Sequence, residues 1–171
     1  DPVRFIGNHS SGKMGFAIAE ELASQGAMVN LVCGPTNQHS HHPRIHVIPV
    51  TTAEEMYNAC TELFPGMDIA VLAAAVADYK PATKADQKIK KKDERVTLEL
   101  IKTHDIAASL GKQKHNGQII VGFALETEDE QVNARKKLES KNFDLIVLNS
   151  LNEKGAGFGY DTNKITIINR Q

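Results

Sequence analysis

Short apolar runs alternate along the chain with stretches whose apolar residues return at helical spacing. Phe16, Ala19, Leu22 and Ala23 predict a helix over about 12–25, stopped by Gly26. Residues 28–33 read as a buried strand closed by Gly34-Pro35, and 44–50 as the next, with Pro49 favouring a strand end or an edge. Thr52-Ala53-Glu54-Glu55 supplies a capping box for a helix to about Phe64, ended by Pro65-Gly66. Residues 68–75 predict a central strand with small residues at its carboxyl end, and 96–101 alternate like a strand with one wet face. Asp105 opens a short helix to about Lys112, 118–124 form a buried strand, and 128–141 form a charged surface helix. Strands over 144–149 and 164–169 follow, separated by a glycine-containing loop, whereas 3–6 read as a loop into the first helix. Strands alternating with helices predict an α/β fold, a doubly wound and mostly parallel sheet with helices on both faces. Ligands of such sheets sit outside the carboxyl ends of the strands. Residues 8–13, 74–78, Phe123 and Asn149 are therefore expected near one another.

Composition narrows the function. With 171 residues, 41% apolar and 24% charged, the chain reads as one soluble domain able to bury a substantial core. A net charge of −1 gives no reason to expect nucleic acid or an anionic membrane as partner, and without Trp there is little aromatic surface for stacking bases. Cys33 and Cys60 form no C-x-x-C pair and fit reduced thiols in a cytoplasmic protein. No apolar run approaches membrane-spanning length.

Candidate chemistry centres on Asn8-His9-Ser10-Ser11-Gly12-Lys13-Met14-Gly15, which runs straight into the first helix. Ser10 or Ser11 is expected to cap that helix, and its unpaired N–H groups make an anion site for a phosphate or carboxylate. Gly7 to Lys13 fits the G-x-x-x-x-G-K frame of a P-loop, but Met14 stands where a Ser or Thr would hold magnesium. Tyr160-x-x-x-Lys164 has the spacing of short-chain dehydrogenases, yet its spacer is turn-forming, and no clean G-x-G-x-x-G accompanies it. An NAD(P)-dependent oxidoreductase is the rival enzyme on that evidence. His39, His41, His42 and His46 read as an exposed loop rather than a metal site. Lys80, Lys84, Lys88, Lys90, Lys91 and Lys92 form a basic stretch after a strand's carboxyl end. There it can neutralise charge as a phosphoryl bond breaks.

These residues, taken together, resemble one family. The motifs are Asp1-Pro2-Val3-Arg4-Phe5-Ile6 with residues 8–15, then 73–79, Lys88-Ile89-Lys90-Lys91, 122–127 and 157–163, all in family order. They are similar to phosphopantothenoylcysteine synthetase, the phosphopantothenate–cysteine ligase of coenzyme A biosynthesis, over nearly the whole chain. The resemblance implies a Rossmann-like fold, a homodimer and a CTP- and magnesium-dependent ligation of 4'-phosphopantothenate to cysteine through an acyl-cytidylate. It implies that Asn8 is the catalytic asparagine and Lys88 the lysine that assists activation. Nucleotide contacts would fall on Leu72, Ala73, Ala74, Asp78, Lys88, Phe123, Lys137 and Lys141, and phosphate contacts on Ser10, Ser11, Gly12 and Lys13. His104, Asp105, Ile106 and Ala107 occupy a further nucleotide segment, where Thr103-His104-Asp105-Ile106 departs from the family's Asn-Pro-Asp-Ile. The family's leading strand and its glycine-threonine turn have no counterpart ahead of Asp1, so a sheet without one central strand is expected. A flavin-dependent decarboxylase domain often precedes this one in bacterial relatives, and nothing in this chain is expected to bind flavin. A nucleotide-binding module without activity is the remaining alternative.

Overall fold

The chain adopts the alternating order in a computed structural model describing residues 1–90, 94–126, 128–150 and 164–170. The elements are α1 (Lys13–Ser24), β1 (Val29–Cys33), β2 (Ile45–Pro49), α2 (Ala53–Leu63), β3 (Ile69–Leu72), β4 (Tyr79–Pro81) and β5 (Leu100–Lys102). Then come α3 (Ile106–Gln113), β6 (Ile119–Glu126), α4 (Glu130–Ser140), β7 (Leu145–Ser150) and β8 (Ile165–Asn169). A 3-10 turn, Phe64–Gly66, follows α2.

The local signals explain most boundaries. Thr52 accepts the Glu55 N–H at 3.1 Å while the Glu55 carboxylate accepts from the Thr51 and Thr52 N–H groups, closing the capping box. Asp105 caps α3 by accepting the Ala108 N–H at 2.8 Å. Such caps contribute about 1 kcal/mol each. Gly26, at φ 102°, lies just past α1 in a conformation that favours glycine.

Parallel pairing dominates. β1 pairs β2, β3 pairs β6 and β6 pairs β7, all parallel, while β8 returns antiparallel on β7 and β4 pairs β5 antiparallel. The four-stranded order is β3-β6-β7-β8, and β1-β2 stands as a separate pair, with no ladder from β1 to β3 among the described residues. Pro49 ends β2, as its missing N–H requires.

The core lies against the middle of the four-stranded sheet. Ile120, Gly122 and Ala124 are buried along β6, while Val121 and Phe123 on its other face are half-buried. Met56 and Phe64, Ile106 and Leu110, Ala134 and Leu138 join Ile146, Leu148 and Ile168 in one cluster. Buried Gln118 is fully used: its amide donates to the Phe64 and Met67 carbonyls and accepts the His115 N–H. The turn after α2 is thereby tied to the start of β6.

Four expectations are corrected. Gly12, at φ 78°, and not Ser10 or Ser11, is the capping residue of α1 and offers no side-chain cap, although Ser11 Oγ accepts the Lys13 N–H at 3.4 Å. The strand expected over 96–101 is only Leu100–Lys102, and the one expected over 68–75 ends at Leu72. The helix expected over 128–141 stops at Ser140, so Lys141 lies beyond it.

Candidate functional site

The carboxyl end of β3 is the point where distant segments meet. Leu72 closes the strand opposite Gly122, which puts Phe123 of β6 one residue further along. Ala73 and Ala74 follow, half-buried and exposed, each with only a methyl side chain. The next residues are held from two sides. Asn8 donates its side-chain amide to the Val76 carbonyl at 3.0 Å. Thr103 donates its hydroxyl to the Ala77 carbonyl at 2.7 Å and its N–H to the Asp78 carbonyl at 2.9 Å. Asn8, the β3 end with exposed Asp78, and the approach to α3 are thus brought together.

The start of α1 is shaped by Thr36. Its hydroxyl donates to the Ser11 carbonyl at 2.7 Å, and a Cβ on Gly12 would come within 2.8 Å of that hydroxyl. Gly12, being left-handed and without a side chain, supplies no cap, and Ser11 Oγ accepts only the Lys13 N–H, at 3.4 Å, while Ser10, Ser11 and Lys13 are exposed around the helix start. An uncapped first turn with no acidic residue retains its attraction for an anion.

On the other side of the strand end, His104 stacks on Tyr57 with ring centroids 4.5 Å apart and places Nε2 3.6 Å from Glu54. Glu54 also accepts from Lys80 at 3.0 Å, and that hydrogen bond holds its carboxyl below the ordinary value. Asp105 carries two duties, capping α3 and pairing with Lys141. Burial pushes its carboxyl up, but Lys141 and the Ala108 N–H together outweigh that and hold it below the ordinary value. Ile106 is buried and Ala107 half-buried in the first turn of α3.

Lys137 sits 2.5 Å from Glu126, whose nearer oxygen is buried and makes no hydrogen bond of acceptable direction. The two lysines therefore do not share one open helical face: each is held by a carboxylate, Lys137 at the end of β6 and Lys141 at the start of α3. Lys88 is exposed. Its neighbour Ile89 is hydrogen-bonded to Asp1 and Arg4, more than 80 residues away. Lys91 and Lys92 of the basic stretch, Thr127, the loop over 151–163 and with it Tyr160 lie outside the described residues. Among the described residues, no three His, Cys, Asp or Glu side chains gather to hold a metal, and no helix is long and apolar enough to cross a membrane. Cys33 and Cys60 are free thiols, both raised above the ordinary value by burial.

Sequence reasoning missed Thr36 and Tyr57, and it placed Thr103 and Glu126 in motifs without foreseeing their partners. None carries a local signal, because each acts on a residue at least eleven positions away.

Fold and site together define the class, a Rossmann-like α/β domain with its candidate site at the carboxyl ends of the parallel strands. The family described as DNA/pantothenate metabolism flavoprotein C-terminal domain matches residues 1–171, and the chain belongs to it. It is 54% identical over 170 residues to a cysteine/cysteine sulfinic acid decarboxylase of an unknown prokaryotic organism, covering 99% of this chain and 47% of that protein. It is 48% identical over 168 residues to the coenzyme A biosynthesis bifunctional protein CoaBC of Bacillus subtilis (strain 168), covering 98% of this chain and 41% of that protein. The chain thus spans less than half the length of either relative. The crystal structure of a C-terminal domain of CoaBC superposes with a TM-score of 0.81 at 37% identity, over 99% of this chain and 74% of that one.

Proposed function

We propose that the chain joins 4'-phosphopantothenate to cysteine, using CTP, in coenzyme A biosynthesis. The observation that carries this reading is the bond from Asn8 to the Val76 carbonyl, which ties the asparagine to the segment that follows β3. Similarity to the coenzyme A biosynthesis protein along almost the whole chain supports it. The name of the decarboxylase relative belongs to a protein more than half of which lies outside the match.

The chemistry follows from a carboxylate being a poor acyl donor. Its oxygen attacks the α-phosphorus of CTP, a new P–O bond forms, and pyrophosphate leaves with the electrons of the broken bond. The cysteine amine then attacks the acyl carbon, CMP leaves, and the amine loses a proton to give the amide. Lys88 neutralises charge in the first step, and the Asn8 amide donates to the oxyanion of the second without changing its own protonation. Uncapped N–H groups of α1, with Ser10, Ser11, Gly12 and Lys13, receive a phosphate. The nucleotide lies along Leu72, Ala73, Ala74, Asp78, Phe123 and residues 104–107. Lys137 and Lys141 exchange their carboxylate partners for nucleotide oxygens. Magnesium, when bound, would be held by the phosphates of the nucleotide and would supply neutralisation of their charge. The assembly is a homodimer acting in the cytoplasm, with a flavin-dependent decarboxylase as fused or partner domain and no flavin on this chain.

Pyrophosphate release, measured with phosphopantothenate and either CTP or ATP, each with and without cysteine, tests the reading. Release is expected with CTP, only in the presence of phosphopantothenate, and sustained only when cysteine is added. Release that ignores phosphopantothenate, or no release with either nucleotide, overturns it.

A further inference from the structure

Helix α2 reaches both segments that meet beyond β3. The Thr52–Glu55 capping box fixes its start, Met56 buries it in the core cluster, and Tyr57 packs against the same cluster. Tyr57 also carries the His104 ring, 4.5 Å away between centroids and 23° from parallel. Glu54 is one turn earlier on the same helical face. Its Oε2 accepts from Lys80 at 3.0 Å, and its Oε1 lies 3.6 Å from His104 Nε2. Lys80 stands just past Asp78, and His104 directly follows Thr103. Thr103 joins those two segments through its bonds to the Ala77 and Asp78 carbonyls. One ring and one carboxylate of α2 therefore grip both segments beside the point where they are joined. The ring is the firmer hold. Glu54 and His104 are 42% and 56% exposed, and an ion pair that open to water is worth less than an aromatic pair.

We propose that Tyr57 and Glu54 are positioning residues that brace residues 76–80 and 103–107 at the separation a bound nucleotide requires. The proposal rests on the ligase reading for its kinetic consequence and on geometry alone for the brace. Neither side chain touches the reacting atoms. Tyr57 acts through His104, and Glu54 through His104 and Lys80, which flank the segments the nucleotide lies along. A grip that is equally firm before and during the reaction governs nucleotide binding and leaves the chemical step alone.

The test joins two measurements on the protein and its Tyr57→Leu, Tyr57→Phe, Glu54→Ala and His104→Ala variants, with thermal unfolding as a check of folding. Amide hydrogen exchange at Thr103, whose N–H is held by the Asp78 carbonyl, reads the brace without any turnover. It should accelerate about 3- to 10-fold in Tyr57→Leu and about 2- to 5-fold in Glu54→Ala, the factors that an aromatic pair and an exposed ion pair are worth. Tyr57→Phe keeps the ring and should match the unsubstituted protein. Glu54→Ala removes no core packing and decides the matter by itself where Tyr57→Leu does not fold. The KM for CTP in pyrophosphate release should rise by about the same factors, with kcat nearly unchanged. The His104→Ala/Tyr57→Leu double variant should be no weaker than His104→Ala alone, because the second change removes a partner already lost. Unchanged exchange at Thr103, or Tyr57→Phe behaving like Tyr57→Leu, overturns the brace. A lower kcat at constant KM overturns its action on nucleotide binding, and additive losses in the double variant overturn the route through His104. No release from the unsubstituted protein overturns the ligase reading instead, and the exchange measurement still decides whether the brace exists.

Discussion

Asn8 reaches across 68 positions to the Val76 carbonyl, and a single side-chain amide thereby ties the entry to α1 to the end of β3. Its proposed part in the second step gives a sharp expectation. Asn8→Ala should still activate the carboxylate but fail to pass it to cysteine, so acyl-cytidylate should accumulate in a quenched reaction. Product forming at the unsubstituted rate would show that Asn8 has no such part. Lys88→Ala should slow the first step by about 100- to 1,000-fold, read as pyrophosphate release, which is the range for losing one stabilising group at a developing charge. Equal release would reduce the basic stretch to a solvated loop. The pairing of Lys137 with Glu126 and of Lys141 with Asp105 could not have been read from the lysines' spacing on a helix. Those partners come from β6 and from the cap of α3.

At the scale of elements, two glycines set how closely neighbours approach. A Cβ on Gly122 of β6 would lie 2.1 Å from the Phe143 ring, and one on Gly111 of α3 would lie 2.0 Å from the Lys141 carbonyl oxygen. Neither distance is tolerable, and at Gly111 the obstacle is backbone. Gly122→Ala should therefore destabilise the domain by about 1–3 kcal/mol through overpacking, measurable as a lower urea midpoint at unchanged slope. An unchanged midpoint would mean that Phe143 can swing clear. Periodicity located most elements within a few residues, because the side chains of one helix face or strand face are set by local geometry. The capping box of α2 was legible for the same reason. The cap of α1 was not. Its serines looked suitable, but Thr36, from the loop after β1, takes the Ser11 carbonyl, and Gly12 adopts the left-handed conformation instead.

For the molecule as a whole, two carboxylates join segments that would otherwise be separate. Asp144, at the entry to β7, accepts the Ile120 N–H at 2.7 Å and pairs with Lys114 at 2.5 Å, while Asp105 joins α3 to Lys141. Burial raises the Asp144 carboxyl, but Lys114, the Ile120 N–H and Arg170 outweigh that and leave it below its ordinary value of 3.8. A carboxyl depressed in the folded state binds fewer protons than in the unfolded chain. Its stabilisation is fully present above the unfolded value and is lost as pH falls through the folded one. Unfolding free energy should accordingly decline below about pH 5. Asp144→Asn should be less stable at neutral pH by about 1.5–3 kcal/mol and should show a shallower acid decline. An acid limb of the same slope in that variant would place the proton uptake elsewhere.

The alternation of strand and helix and the family motifs were contained in the sequence, because they depend on local spacing and on short ordered segments. What only the tertiary structure decided are the partners: Asn8 with Val76, Thr103 with Ala77, Tyr57 with His104, and Asp1 and Arg4 with Ile89. Each of these depends on where a backbone group from another element comes to rest, a quantity the packing of the core determines and no local spacing contains.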